Sequence, residues 1–274
     1  MEVLFHMVGM MQIRIGKTEK YIYEKLEEKG ALLFSVIDPV DYDTPEHGIK
    51  TAIGAAEGGA DAILIGGSTG AQGELLEIVS KGIKDKVNVP VILFPGNIAT
   101  VTRNADAFYF LSMLNARNPY WITQVQTVGA PLIKQLGIEP LPVGYIVVAP
   151  GGTVGWIGDA NLVPREKPKI ASALALAGQY LGNRFIITDV GSNPQSFGEG
   201  PVPLEMIREV KKTIDATYIV AGGIQDGDDI RNTIKAGADI VQIGTAIERS
   251  DQARSKTEFF AKTIREEARK RKKA

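Results

Sequence analysis

Cysteine is absent from this chain of 274 residues, and histidine occurs only at His6 and His47. The first absence excludes disulfides, thiolate metal sites and cysteine nucleophiles, and fits a reducing, cytoplasmic compartment. The second leaves little material for histidine catalysis or histidine-ligated metals, since His6 sits near the terminus and His47 in a helical pattern. Neither sign of charge is in excess: 31 Lys and Arg against 32 Asp and Glu give a net charge of −1. That argues against a dedicated nucleic-acid binder, which needs a basic surface. Long apolar runs are lacking too, and stretches such as 31–37 fall far short of a membrane span. The first eleven residues have no charged-then-apolar signal layout. Glu2-Val3-Leu4-Phe5 resembles a protease-tag remnant, so 1–11 are set aside as an N-terminal extension and 12–274 are read as one domain.

What is present is a globular composition, 44% hydrophobic and 23% charged, with ample length for a large core. Apolar runs bounded by turn signals predict strands at 32–37, 62–65, 89–94, 107–111, 143–149, 184–188, 217–220 and 240–243. Most are continuous rather than alternating, as in a parallel sheet buried on both faces. Helical patterns fill most gaps, at 45–57, 73–84, 120–135, 168–181, 203–213, 228–235 and 252–273. Alternating units of this number predict an α/β fold, a parallel eight-stranded (β/α)8 TIM barrel. One crossover is irregular: 95–106 holds Pro95 and Gly96 and leaves no comfortable room for a helix. The third helix is therefore expected to be missing or irregular. The uncovered strip would serve as a subunit contact or as a groove for something long and apolar; the residues alone lean to the subunit contact.

In such a barrel the strand ends carry the chemistry. Ala221-Gly222-Gly223-Ile224 and Ile243-Gly244-Thr245-Ala246 each follow a β-branched run and precede a helical pattern. Glycine lets backbone N–H groups approach an anion, so the pair predicts a phosphate site. Asp38 ends the first strand and Gly66-Gly67-Ser68-Thr69-Gly70 follows the second. A carboxylate opposite Ser68 could hold Mg²⁺, which completes its shell with water and substrate phosphate. For Asp38 a plain loop role stands open equally, and for Ser68 and Thr69 a helix N-cap is favoured on spacing alone. Asp189 ends a buried strand beside Gly191 and Ser192, a costly place for a carboxylate without a partner or ligand. The basic run 269–273 could touch anionic lipid, but a solvated helix end is the favoured reading.

Taken together, Ile37-Asp38-Pro39, Gly66-Gly67-Ser68-Thr69, Phe94-Pro95-Gly96-Asn97, Asn118-Pro119-Tyr120-Trp121 and Pro150-Gly151-Gly152-Thr153-Val154-Gly155-Trp156 resemble the geranylgeranylglyceryl phosphate synthase family. This is an archaeal ether-lipid enzyme family related to bacterial heptaprenylglyceryl phosphate synthases, and the similarity spans about Gly30 to Glu248. The resemblance implies Mg²⁺-dependent transfer of a geranylgeranyl group from geranylgeranyl diphosphate to the 3-hydroxyl of sn-glycerol 1-phosphate. It also implies a homo-oligomer, dimer or hexamer; the cytoplasmic expectation and any peripheral membrane contact rest on composition and on the 269–273 run alone. By position it makes Asp38 and Ser68 the magnesium residues and Asp189 the catalytic group. Ile187, Thr188, Asp189, Val190, Gly191, Ser192 and Asn193 become the glycerol-phosphate loop, and Gly222, Gly223, Gly244 and Thr245 the phosphate turns. It turns the uncovered strip into a groove for the prenyl tail. The family's sixth-strand loop usually reads Tyr-Leu-Glu-Ala-Gly-Ser-Gly, so here tyrosine, glutamate and the last glycine are replaced, by Ile187, Asp189 and Asn193. Ala149 likewise stands where glutamate is frequent. Two rivals remain: a sugar-phosphate or indole enzyme, whose usual acid/base pair is not found, and a divergent phosphate-binding barrel with a changed acceptor or lost catalysis.

Overall fold

In the computed structural model the described residues are 15–272 except 70 and 251; the 1–11 extension and Lys273 lie outside them. Eight parallel strands close into a barrel in sequence order. They are β1 Leu32–Ile37, β2 Ala62–Ile65, β3 Val91–Leu93, β4 Ala107–Met113, β5 Glu139–Val147, β6 Phe185–Asp189, β7 Thr217–Ala221 and β8 Ile240–Ile243. The continuous apolar runs follow from burial on both faces. In β1, Leu32 and Phe34 fill the barrel interior, while Leu33 and Ile37 pack against the helices. Those helices are α1 Lys17–Lys29, α2 Pro45–Glu57, α3 Gly73–Lys84, α4 Val125–Leu136, α5 Gly152–Ile157, α6 Pro168–Tyr180, α7 Leu204–Thr213, α8 Gly227–Ala236, α9 Thr245–Glu248 and α10 Ala253–Arg271.

Strand ends at β3, β4 and β6 shift by one or two residues, the short helices α5 and α9 were not expected, and larger differences follow. β5 begins at Glu139, well before 143, because β4 pairs with it along 139–145. Its Pro140 and Pro142 are tolerated because β6 pairs with β5 only from Val143 onward, so this stretch has a free edge. The helix expected over 120–135 is divided into a wide π turn at Tyr120–Gln124 and α4. α1 was not foreseen at all. It closes the bottom of the barrel with Ile22 in the interior cluster and Tyr23 stacked on Phe185 at 5.9 Å.

Charged groups fix that plug. The Glu139 carboxylate accepts the backbone N–H of Thr18 at 2.7 Å and of Glu19 at 2.8 Å, satisfying the free donors of the helix start. Glu19, whose side chain is 1% exposed, is gripped by both Nε and Nη2 of Arg184. At the other end of the chain, Arg271 donates to the carbonyls of Ile234, Ala238 and Gly30, and Lys272 to that of Glu27. Two residues of the terminal basic run, Arg271 and Lys272, thus cap internal carbonyls. No described helix is long and apolar enough to cross a membrane.

Between β3 and β4 the described chain forms no helix, and α4 stands apart across an apolar trough. The barrel flank is open there.

Arg184→Ala leaves Glu19 a buried carboxylate without its cation, with the Tyr23 hydroxyl still donating to Oε1 at 3.0 Å. The expected loss is about 3 kcal/mol, with partial recovery in Glu19→Gln/Arg184→Ala, read by denaturant melts. An unchanged midpoint would mean that the plug does not depend on the pair.

Candidate active site

The C-terminal strand ends surround a mouth of about 1090 Å³. Asp189 stands at its floor, 7% exposed. Its Oδ2 accepts the Tyr145 hydroxyl at 2.7 Å and its Oδ1 the Gly191 N–H at 2.6 Å. Burial pushes its carboxyl above the usual range, while these two donors pull the other way. Burial first, and Asp189 next, drive the Tyr145 phenol far upward, so it stays a donor.

Close backbone packing explains the glycines around it. A Cβ on Gly222, at φ +83°, would meet Asp189 Oδ1 at 2.7 Å; one on Gly191, at φ +82°, would meet the Gly151 carbonyl at 2.6 Å. At Gly223 the Cβ direction is filled by Pro194 and Pro201, so a side chain there would displace the 194–201 loop. Gln195 from that loop donates to the Gly223 carbonyl at 2.7 Å. Ser192, Asn193, Gly222, Gly223, Gly244 and Thr245 all line the mouth. Among the described residues, no acceptor takes the backbone N–H of any of these six. Unpaired backbone donors gathered at one corner form an anion cradle.

Three residues expected in the glycerol-phosphate loop do not reach the mouth. Thr188 and Val190 point outward by strand alternation: Thr188 shares a 2.7 Å hydrogen bond with Tyr218, and Val190 joins the core beneath the helices. Ile187 points inward but lies below the mouth, fully buried in the barrel cluster. Ser68 and Thr69 are not N-caps, since α3 starts at Gly73 after Gln72.

Asp38 and Ser68 both line the mouth. The Asp38 backbone N–H donates to Glu248 Oε1 at 2.8 Å. Its carboxylate packs on Gly66, where a Cβ would come within 2.5 Å of Oδ1. Burial, then Asp41, then Asp189 push the Asp38 carboxyl up to about 7. Burial, then Asp38, push Glu248 up to about 8. A half-buried carboxylate among other acids, with no ion pair among the described residues, suits a metal ion in its chemistry. Among the described residues no three acidic, histidine or cysteine side chains form a complete metal site. A magnesium ion at Asp38 and Ser68 would therefore draw most ligands from substrate phosphate and water.

The opposite wall is apolar. Pro95, Leu111 and Trp121 line both the mouth and the trough of about 420 Å³ beside α4, so the two adjoin. The trough runs over Ile98, Phe110, Val125 and Gly129. Tyr145, Gln242 and Glu248 are mouth residues that sequence reasoning passed over. The one legible trace was Gln242, a carboxamide interrupting the apolar run of β8.

Unpaired backbone donors, a buried acid and an apolar trough at the mouth of a (β/α)8 barrel make up the site of an enzyme. The chain belongs to the PcrB family, whose model matches residues 23–264. It is 52% identical over 252 residues to the geranylgeranylglyceryl phosphate synthase of Pyrococcus horikoshii, covering 91% of this chain and 97% of that one. It is 50% identical to the Thermococcus kodakarensis enzyme of the same name, with 92% and 99% covered. Among solved structures it is similar to (S)-3-O-geranylgeranylglyceryl phosphate synthase from Thermoplasma acidophilum in complex with sn-glycerol-1-phosphate. The TM-score is 0.85 and the identity 31%, over 92% of this chain and 100% of that one. A thiamine phosphate pyrophosphorylase from Pyrococcus furiosus, at 16% identity and TM-score 0.59, shares the fold alone.

The raised carboxyls of Asp38 and Glu248 set a pH dependence. Their folded values lie above unfolded values of about 4, so between about 4 and 8 the folded state holds more protons and stability falls as pH rises. Thermal melts of the ligand-free protein are expected to drop from pH 5 to pH 8, and Glu248→Gln to flatten the upper part of that drop. A melting temperature that rises across this window in the parent and is unmoved by the variant would contradict the assignment.

Proposed function

We propose that this enzyme transfers a geranylgeranyl group from geranylgeranyl diphosphate to the 3-hydroxyl of sn-glycerol 1-phosphate, with Mg²⁺ as cofactor. The observation that carries the reading is that unpaired backbone donors, the Asp189 carboxylate and an apolar trough meet around one mouth. The backbone donors of the 192–193, 222–223 and 244–245 turns bind the acceptor phosphate. That anchors the glycerol above Asp189, whose Oδ2 is fixed by Tyr145. Asp189 accepts the proton of the attacking hydroxyl as the new C–O bond forms at the allylic carbon and the bond from that carbon to diphosphate breaks. The raised carboxyl of Asp189 suits a proton acceptor that must later release it. When bound, magnesium supplies positive charge that stabilises the departing diphosphate, and Asp38 and Ser68 are the side chains that would hold it. The trough beside α4 takes the prenyl tail and keeps water from the allylic carbon.

Asp38→Asn is expected to lower turnover at least a hundredfold while the fold and glycerol-phosphate affinity persist, read by radiolabelled prenyl transfer and calorimetry. Near-parental turnover would remove Asp38 from the diphosphate site. Val125→Trp fills the trough and is expected to shift donor preference to shorter prenyl diphosphates; an unchanged chain-length profile would place the tail elsewhere.

A further inference from the structure

Gln242 is 3% exposed and lines the mouth, yet its Oε1 accepts no hydrogen bond among the described residues. A buried amide oxygen that has lost water and gained no donor is destabilising, so it calls for a partner that the folded chain does not supply. The other buried side-chain atoms without partners lie elsewhere: Ser35 faces the helix layer, and Tyr109 and Gln126 border the apolar trough.

The register says what that partner is. One rung of the barrel runs Asp189, Ala221, Gln242, Phe34, and residues on a rung point to the same face. Ala221 contributes only a methyl group between the two polar residues. A hollow therefore opens between Asp189 and Gln242, whose α-carbons stand two strand spacings apart, about 9–10 Å. Gly222 and Gly223 follow Ala221 directly, and Gly244 follows Gln242 by two residues. A phosphate ester held by those turns lowers its carbon chain into the hollow, with Asp189 on one side and Gln242 on the other.

We propose that Gln242 binds the second hydroxyl of the acceptor, the one that is not prenylated, and so selects phosphate monoesters of polyols over those of simple alkanols. This rests on the glycerol-phosphate reading of the mouth. A hydroxyl both donates and accepts, so it satisfies the carboxamide in either orientation, whereas the diphosphate of the donor offers no O–H to the amide oxygen.

The test compares the parent with Gln242→Leu, which keeps the volume and removes the amide. Calorimetry uses sn-glycerol 1-phosphate and 3-hydroxypropyl phosphate, which lacks the second hydroxyl. The parent is expected to bind glycerol phosphate about tenfold more tightly than 3-hydroxypropyl phosphate, and the variant to bind the two within twofold of each other. Ligand-free Gln242→Leu is expected to melt at or above the parent temperature, because an unpaired buried polar group has gone. A variant that loses affinity for both esters equally and melts lower has lost a structural residue, and that result overturns the proposal. So does a parent that binds both esters equally. A parent that binds neither ester overturns the glycerol-phosphate reading itself.

Discussion

A carboxylate inside a β-barrel has to be held, and Asp189 is held at both oxygens. Tyr145 on β5 reaches one and the Gly191 N–H the other, while Gly222 has no side chain because Oδ1 occupies that space. The geometry of β5, β6 and β7 is thereby tied to one functional group. The turn after β6 can carry the carboxylate only with glycine at 191, and the turn after β7 only with glycine at 222. Those same turns release backbone donors toward the mouth, so anchoring the acid and building the anion cradle are one structural act.

Charge is distributed across the mouth in opposition. Backbone donors gather over β6 to β8, while Asp38, Asp41 and Glu248 crowd the β1 side around a raised carboxyl. Like charges that close raise one another's pKa and leave the site favouring a cation. The third wall carries no charge: where a helix would cover β3 and β4, an apolar trough adjoins the mouth. Three chemically distinct regions meet there: unpaired backbone donors, a cluster of acids and an apolar wall.

Much of this was legible because burial on both sheet faces writes itself as unbroken apolar runs, and β1, β2 and β8 have the bounds those runs give. The glycine turns were legible because a backbone requirement leaves a residue type behind. α1 escaped notice since its polar, lysine- and glutamate-rich sequence buries little beyond Ile22; docking, not pattern, makes it a helix. The start of β5 was hidden by Pro140 and Pro142, which read as breakers until its free edge is known. Tyr145, Gln242 and Glu248 gain their positions only when the barrel closes and brings β5 to β6 and α9 to β1. Reading 187–193 as one loop overlooked strand alternation, which turns Thr188 and Val190 to the helices. Asp189 and Asn193 depart from the family's usual loop, yet one stands at the floor of the mouth and the other on its wall.

The central claim is that this mouth brings a glycerol phosphate hydroxyl to Asp189 beside an allylic diphosphate. Its most direct test is radiolabelled transfer from geranylgeranyl diphosphate to sn-glycerol 1-phosphate and, in parallel, to its mirror-image sn-glycerol 3-phosphate. The account predicts an ether product from the first, at least tenfold faster than from the second, because the phosphate cradle and Asp189 fix two points of a chiral chain. Equal rates with the two enantiomers, or no ether product from either, would contradict it.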